Sequence, residues 1–169
     1  MKIVEELPIH HPEVLELNRL AFGGNTECDL IESLRRDGDV LASLAAIDGE
    51  QVVGHILFSP LEVSINGKNI AAAALAPMAV LPRLQKQGIG SALVWRGIQE
   101  MKSAGQAAII VLGHTGFYPR FGFSHELAKN LSCDFNQFEA FMGLELTAGC
   151  LGGKSGRCIY PAAFGEPID

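Results

Sequence analysis

The stretch from Leu75 to Met101 constrains the fold most, because a strand, a glycine loop and an amphipathic helix follow one another there. The apolar run 75–80 indicates the strand, and the loop over residues 85–90 reads Gln-Lys-Gln-Gly-Ile-Gly. Beyond the loop, apolar residues recur with helical spacing, at Ile89, Leu93, Val94, Gly97, Ile98 and Met101. We therefore expect a strand–loop–helix unit whose helix packs this stripe into the core.

The two glycines of the loop, Gly88 and Gly90, indicate a phosphate site. Glycine lets the backbone turn sharply and lets a ligand approach the main chain closely. The first amide N–H groups of a helix have no partner in the helix and carry the positive end of its dipole, so they bind phosphate without special side chains. A nucleotide P-loop would need Gly-Lys-[Ser/Thr], and a dinucleotide fingerprint would need glycine where Leu93 stands. Neither pattern is present.

A second motif, Tyr-Pro-Arg-Phe-Gly-Phe, occupies residues 118–123. Together the two motifs resemble the GCN5-related N-acetyltransferase (GNAT) superfamily. Its acetyl-CoA loop has the pattern [Gln/Arg]-x-x-Gly-x-[Gly/Ala], here filled by Gln85, Gly88 and Gly90, and Tyr-x-x-x-Gly-Phe follows its next strand. The runs 113–118 and 159–164 are similar to those of bacterial YhbS-like predicted acetyltransferases. The resemblance implies a single-domain acyl-CoA N-acyltransferase fold of mixed α/β (α+β) class. It has a central, mostly antiparallel sheet with a splayed parallel strand pair, flanked by helices.

The resemblance also implies a reaction: transfer of acetyl from acetyl-CoA to a primary amine of a small molecule or protein, by direct attack in a ternary complex. The strand backbone would pair with the pantetheine arm of CoA, and the loop would cradle the pyrophosphate. Tyr118 is the expected general acid or thiolate ligand, because a phenol of pKa roughly 10 can hand a proton to a thiolate. The alternative is that it packs among phenylalanines. The expected CoA-binding residues are Met78, Ala79, Val80, Gln85, Lys86, Gln87, Gly88, Ile89, Gly90, Ser91, Tyr118 and Phe121.

The base that takes a proton from the amine is left open. His55, in the middle of a predicted strand, has a side chain suited to a base near neutral pH. His114 follows a buried strand, where parallel-type sheets place their ligands, and Glu62 is a third candidate. Ordered water is the alternative to all three. Because no base is clear, a catalytically silent acyl-CoA-binding or regulatory module is the second functional hypothesis.

Composition and charge limit the number of domains and the kinds of partner. With 169 residues, 48% of them hydrophobic, the chain suits one domain over residues 1–169. A net charge of −6 argues against nucleic acid as a partner. Residues 1–50 carry four Lys/Arg against eleven Asp/Glu. The resemblance implies that the two helices of this region wall the acceptor side, so this charge favours a cationic acceptor. No apolar run is long enough for a membrane helix, and the start is too acidic for a signal peptide. A homodimer is left open.

The four cysteines, at positions 28, 133, 150 and 158, show no Cys-x-x-Cys spacing. They therefore indicate neither a metal site nor a disulfide framework, and we expect a reducing cytoplasm. Cys150 and Cys158 are interpreted as structural, because nothing near them in sequence signals a lowered thiol pKa.

Local patterns predict the remaining elements. Asp48-Gly49 and Asn66-Gly67 are both type I′ hairpin signals, and Pro60 indicates a bend or an edge position. Thr26 and Asp29 resemble a capping box, and Val14, Leu15, Leu17 and Leu20 are candidates for the buried side of the first helix. The predicted helices span residues 12–22, 26–37 and from about 88 to 105, and the predicted strands 2–6, 40–47, 51–58, 61–65, 70–80, 107–112, 138–146 and 157–160.

Overall fold

The computed structural model describes residues 1–136 and 138–165. In that part of the chain the α-helices are α1 (His11–Phe22), α2 (Thr26–Asp37), α3 (Ile89–Ser103) and α4 (His125–Ala128). The strands are β1 (Lys2–Glu5), β2 (Ala42–Asp48), β3 (Gln51–Ile65), β4 (Lys68–Val80), β5 (Ala108–Leu112), β6 (Leu131–Ser132), β7 (Phe141–Glu145) and β8 (Gly156–Ile159). Short 3-10 helices lie at Pro8–His10, Pro82–Leu84, Tyr118–Phe121, Phe138–Ala140 and Ala162–Phe164.

The strands of the described residues form one mixed sheet, in the order β1-β2-β3-β4-β5-β7, with β8 pairing with β3 and β6. The pairs β1–β2, β2–β3, β3–β8 and β5–β7 are antiparallel, whereas β4–β5 and the short β6–β8 pair are parallel. This confirms the predicted mostly antiparallel sheet with a parallel pair. Strand β5 has the continuous apolar sequence expected of a strand that is covered on both faces, and its residues 108–111 are buried.

The two hairpin signals give different turns. Asn66 and Gly67 both have positive φ, 52° and 77°, so the β3–β4 turn is the predicted type I′. Between β2 and β3 the turn residues are Gly49 and Glu50, and of these only Gly49 has a positive φ, of 63°. That pattern is type II′, so the type I′ prediction at Asp48-Gly49 is wrong by one residue of register.

The chain divides into two compact units, and β3 and β4 contribute to both. The first unit comprises residues 1–58 and 76–100. In it the predicted stripe of α3 packs closely on β3: a Cβ atom added at Gly97 would overlap the ring of Phe58, and one added at Gly54 would lie 2.9 Å from Leu93 Cδ1. Glycine at these two positions therefore lets helix and strand approach each other.

Helices α1 and α2 of the first unit follow the prediction in extent but not in detail. Val14 and Leu17 are buried, whereas Leu20 is 46% exposed and Leu15 is half-buried. The fully buried polar residue Asn18 lies on the same face. The cap of α2 is Asn25, which makes no side-chain cap hydrogen bond, so the predicted capping box is not formed.

The second unit comprises residues 59–75 and the chain from Met101 onward. Its core is an apolar cluster contributed by the second half of β3, the first half of β4, β5, β7 and β8, including Val63, Ala74, Ile110, Phe141 and Cys158. Pro60 does not end β3, which is one continuous strand. It is exposed and lies between Phe58, where pairing with β2 ends, and Glu62, where pairing with β8 begins, so it has the predicted edge position.

The last third of the chain departs most from the predicted elements. The strand predicted from Phe138 begins only at Phe141, because residues 138–140 form a 3-10 helix in which Phe138 is 89% exposed. Strand β6 and helix α4 have no clear sequence signal, being two and four residues long. No helix among the described residues combines the length and apolar character needed to cross a bilayer.

Candidate active site

The loop before α3 presents unpaired backbone amides. In the described part of the chain, the N–H groups of Gly88, Ile89, Gly90 and Ser91 donate no hydrogen bond. The first bond of the helix runs from the amide of Ala92 to the carbonyl oxygen of Gly88, at 3.0 Å. The first turn contains no acidic residue, so nothing in it opposes an anion. These amides and the helix dipole together make an anion-binding end.

Side chains on both sides hold the loop in shape. Gln85 Nε2 donates to the carbonyl oxygen of Val80 at 3.2 Å, which ties the loop back to the end of β4. Arg83 Nη2 donates to Gln51 Oε1 at 2.8 Å, and the amide of Leu81 donates to the carbonyl oxygen of Val53 at 3.0 Å. Both anchors lie on β3, so the loop is fastened to two strands of the first unit.

Two residues of the loop have a left-handed backbone conformation. Lys86 has a φ of 63° and Gly88 a φ of 92°, and residues 85–88 are exposed. A Cβ atom at Gly88 would have no heavy atom within 4 Å, so the space beside this glycine is open. Successive amides around such left-handed turns form concave anion sites. Glycine at position 88 therefore serves both the turn and access to the main chain.

The strand that leads into the loop supplies the other predicted CoA-binding residues of the first unit. The parallel ladder of β4 with β5 ends at the pair Leu75 and Val111. The Ala76–Pro77 peptide bond that follows is cis. Ala79 and Val80 are buried, and Met78 is half-buried.

In the second unit, Tyr118 begins the 3-10 helix that follows β5 and is 6% exposed. Its ring makes edge contacts with Phe117 and Phe123, with centroids 5.0 and 5.6 Å apart. A Cβ atom on Gly113 would overlap the Tyr118 ring, so this glycine makes room for the phenol. Burial raises the pKa of Tyr118 to about 12, which keeps the phenol protonated at neutral pH. Phe121 is buried in the same segment and contacts Phe117.

The three candidate bases occupy very different places. His114 is exposed in the loop after β5, and its carbonyl oxygen accepts the amides of Phe117 and Tyr118 at 3.1 and 3.3 Å. Glu62 is exposed on β3, opposite Ile159 of β8. His55 is fully buried on β3. Of the three, only His55 sits in a network of polar side chains.

The His55 network joins β2, β3, α1, α2 and Glu6, the residue after β1, within the first unit. His55 Nε2 lies 2.8 Å from Ser43 Oγ and 3.4 Å from Glu6 Oε2, and Nδ1 lies 3.2 Å from Asn18 Nδ2. Glu6 also bonds Ser43 and Arg35. The Asn18 amide donates to the Val14 carbonyl oxygen at 2.9 Å as well, so the nitrogen it presents to His55 is a donor. Nδ1 must then accept, and His55 is neutral with its proton on Nε2.

Burial and neighbouring polar groups together set the charges of His55 and Glu6. Burial lowers the pKa of His55 by more than the hydrogen bond and charge of Glu6 raise it. For Glu6, burial alone would raise the pKa, but hydrogen bonds from His55 and Ser43 and the positive charge of Arg35 lower it overall. The carboxylate is therefore ionised beside a neutral imidazole. Because neighbouring strand residues point to opposite faces, and Gly54 faces α3, His55 faces α1 instead.

Sequence reasoning missed several partners in these places. Glu6, Asn18, Ser43 and Arg35 lie far from His55 in sequence and carry no shared spacing, so no local pattern connects them. Gly113 was recognised only as part of a motif. Its role beside Tyr118 depends on the turn of the backbone after β5.

Known proteins resemble this chain along most of its length. A family model described as an acetyltransferase (GNAT) domain matches residues 9–125. The uncharacterized N-acetyltransferase YhbS of Escherichia coli K12 is 34% identical over 166 residues, which are 97% of this chain and 98% of that protein. The uncharacterized N-acetyltransferase YjhQ of the same organism is 37% identical over 114 residues, 66% of this chain and 62% of that protein.

Solved structures match as well. Escherichia coli YhbS in complex with CoA has a TM-score of 0.87 and 35% identity, covering 96% of this chain and 91% of that chain. A GNAT family acetyltransferase from Brucella melitensis in complex with acetyl-CoA has a TM-score of 0.78 and 30% identity, covering 96% and 97%. With its glycine loop, its mixed sheet and these relatives, the chain belongs to the GNAT family of N-acetyltransferases.

Proposed function

We propose that this protein transfers the acetyl group of acetyl-CoA to a primary amine, by direct attack within a ternary complex. The observation that carries the proposal is the set of four unpaired amides from Gly88 to Ser91 at the start of α3. Two of the solved relatives, from Escherichia coli and Brucella melitensis, hold CoA and acetyl-CoA. On the fold of this family, the ligand that best fits an anion site at the start of α3 is the diphosphate of acetyl-CoA.

Backbone groups would make most of the cofactor contacts. The pyrophosphate would accept hydrogen bonds from the loop amides 86–91, and the pantetheine arm would pair with Met78–Val80 as a strand added to an edge. The end of the β4–β5 ladder at Leu75 supports this pairing, because the following β4 residues lie beyond it. Lys86 adds a positive charge to the loop.

Tyr118 would act on the departing sulfur. With a pKa of about 12, its proton is held more tightly than that of an ordinary thiol of pKa about 8.5, by about 5 kcal/mol. Complete transfer to a free thiolate is therefore uphill. We propose that the phenol donates a hydrogen bond to the sulfur as charge develops. The phenol would transfer its proton to the sulfur only as the acceptor nitrogen gives up a proton, so that the amide product and the free CoA thiol form together.

The proton of an incoming ammonium would leave through exposed groups. Two of the candidate bases, His114 and Glu62, are open to solvent, and ordered water is the alternative to both. His55 is sealed from solvent, with both ring nitrogens occupied, so direct contact with an amine is not favoured there. Two variants separate these routes. A shift in the acid limb of the pH profile of kcat for His114→Ala supports His114, the same shift for Glu62→Gln supports Glu62, and unchanged profiles for both variants support water.

Three further points belong to the proposal. The acidic residues of the first fifty positions favour a cationic amine as acceptor. A single domain over residues 1–169 is supported by β3 and β4, which contribute to both compact units. All four cysteines are free thiols, which suits a reducing compartment such as the cytoplasm.

The decisive experiment offers the purified chain acetyl-CoA with a panel of amines, while loss of thioester absorbance is followed and CoA affinity is measured by calorimetry. Turnover with at least one amine supports the transferase. Tight CoA binding without turnover on any amine would favour a silent binding module. Tyr118→Phe should leave CoA affinity unchanged and lower kcat, and equal kcat would remove the role given to this phenol.

A further inference from the structure

Two cysteines of the second unit lie side by side at a place that the proposed transfer does not use. In the parallel pair β6–β8, Ser132 stands opposite Arg157, so the next residue on each chain brings Cys133 opposite Cys158. Adjacent strands run about 4.8 Å apart, and disulfides join Cα atoms about 4.4–6.8 Å apart. The two thiols are close enough that each shifts the pKa of the other. The backbone is therefore positioned for a disulfide between them.

A cavity of about 470 Å³ gives access to this pair. Both thiols line it, together with Phe135, Arg157 and Tyr160. Cys133 is half-buried, whereas Cys158 is 4% exposed. A reagent from solution therefore meets Cys133 first, and Cys158 is the nearest thiol behind it.

The surroundings also make the two thiols unequal. The interaction with the Cys158 thiol, with smaller contributions from the backbone amides of Phe135 and Asn136, lowers the pKa of Cys133 to about 7, although burial and the charge of Asp134 act against this. The same interaction and burial raise the pKa of Cys158. Cys133 is thus the nucleophile at neutral pH, and Cys158 holds the proton.

The other two cysteines provide internal comparisons. Cys28 donates its thiol proton to the carbonyl oxygen of Leu15 at 3.1 Å, and Cys150 donates to that of Ala107 at 3.3 Å. Burial raises the pKa of both. These thiols are protonated and engaged at neutral pH, and neither pairs with another cysteine.

We propose that Cys133 and Cys158 form a reactive dithiol, which a small soluble disulfide converts into an intramolecular disulfide. The Cys133 thiolate attacks one sulfur of the external disulfide, whose S–S bond breaks and releases one thiolate. Cys158 then loses its proton and attacks Cys133 Sγ in the mixed disulfide, releasing the second thiolate. Two electrons pass from the protein to the external disulfide, and the protons of the two cysteines convert its halves into two thiols. This reaction is independent of acetyl transfer.

The test treats the full chain with glutathione disulfide at pH 7, quenches with acid, alkylates the remaining thiols and maps the products by mass spectrometry. Wild type should lose two hydrogen atoms and give one cross-linked peptide pair containing Cys133 and Cys158. Cys158→Ala should stop, more slowly, at a glutathione mixed disulfide on Cys133. Cys150→Ala, the matched control, should form the cross-link like wild type.

Rates give a second readout. A thiol of pKa about 7 is half ionised at pH 7, against about 3% for an ordinary thiol of pKa about 8.5. The lower intrinsic nucleophilicity of the more acidic thiol offsets part of this advantage, so Cys133 should react about threefold faster than an ordinary thiol. Faster modification of Cys28 or Cys150, or wild type that stops at a mixed disulfide, would overturn the proposal. Because the wild-type map alone decides this, the test does not depend on how well a variant folds.

Discussion

Replacing Gly88 by alanine tests the phosphate loop with the smallest side chain available. In the free protein the new methyl group meets no heavy atom within 4 Å, so the substitution causes no steric clash. It destabilises the fold through backbone strain, because residue 88 has a φ of 92° and a left-handed conformation costs an alanine about 1–2 kcal/mol. For a chain of this length each kcal/mol lowers Tm by about 2–4 °C.

Gly23→Ala is the matched control for that strain. Gly23 has a φ of 75°, also with nothing within 4 Å of the added Cβ, and it ends α1 rather than forming part of the loop. The two variants should therefore lose similar stability in a thermal melt. Any difference between them in ligand binding must come from the place of Gly88 in the loop.

The two variants should differ in CoA affinity. A methyl group beside the loop amides would push the diphosphate away, and a hydrogen bond to a charged group contributes about 1.5–3 kcal/mol. Losing one such bond at Gly88→Ala weakens binding about 10- to 100-fold, whereas Gly23→Ala should bind like wild type. Pantetheine, which lacks the diphosphate, should bind both variants equally in calorimetry. If Gly88→Ala binds CoA as well as Gly23→Ala does, the amide cradle is refuted.

Three further predictions follow from packing and charge. Gly113→Ala should lower kcat by displacing the Tyr118 ring. In the Tyr118→Phe background the same substitution should lower kcat by a smaller factor than it does in wild type, and equal factors in steady-state assays would contradict this. Gly97→Ala should cost about 1–3 kcal/mol of unfolding free energy by overpacking against Phe58, and an unchanged Tm would refute the close approach. Because burial lowers the pKa of His55, the unfolded chain gains a proton there first, so stability should fall as pH drops below about 6.5, by at most about 1.4 kcal/mol per pH unit. Equal urea midpoints at pH 7.5 and 5.5 would exclude a buried neutral imidazole.

Local patterns predicted the parts of this protein that depend on neighbouring residues. The stripe of α3 is confirmed, because its positions Leu93, Val94 and Ile98 are buried at helical spacing. The type I′ turn at Asn66-Gly67 is confirmed because both residues tolerate positive φ. The family was predicted from two short motifs and is confirmed by relatives that cover nearly the whole chain.

Features that depend on register between distant segments could not be predicted. His55 and Glu6 meet because β1 pairs with β2 and β2 with β3, and no spacing in the sequence encodes that meeting. The sequence does not predict that Cys133 and Cys158 meet, since a strand of two residues gives no periodicity from which their pairing follows. The turn after Asp48 differs because pairing of Asp48 with Gln51 moves Gly49 to the first turn position.

The side-chain bonds that hold the glycine loop affect both the rate and the free energy of ligand binding. Gln85 and Arg83 already fix the loop in the free protein through bonds to Val80 and Gln51. Ligand binding therefore does not have to order this segment, so it does not include the loss of conformational entropy that ordering a flexible loop would require. Capture of the cofactor should then proceed in one kinetic phase, with a rate proportional to its concentration.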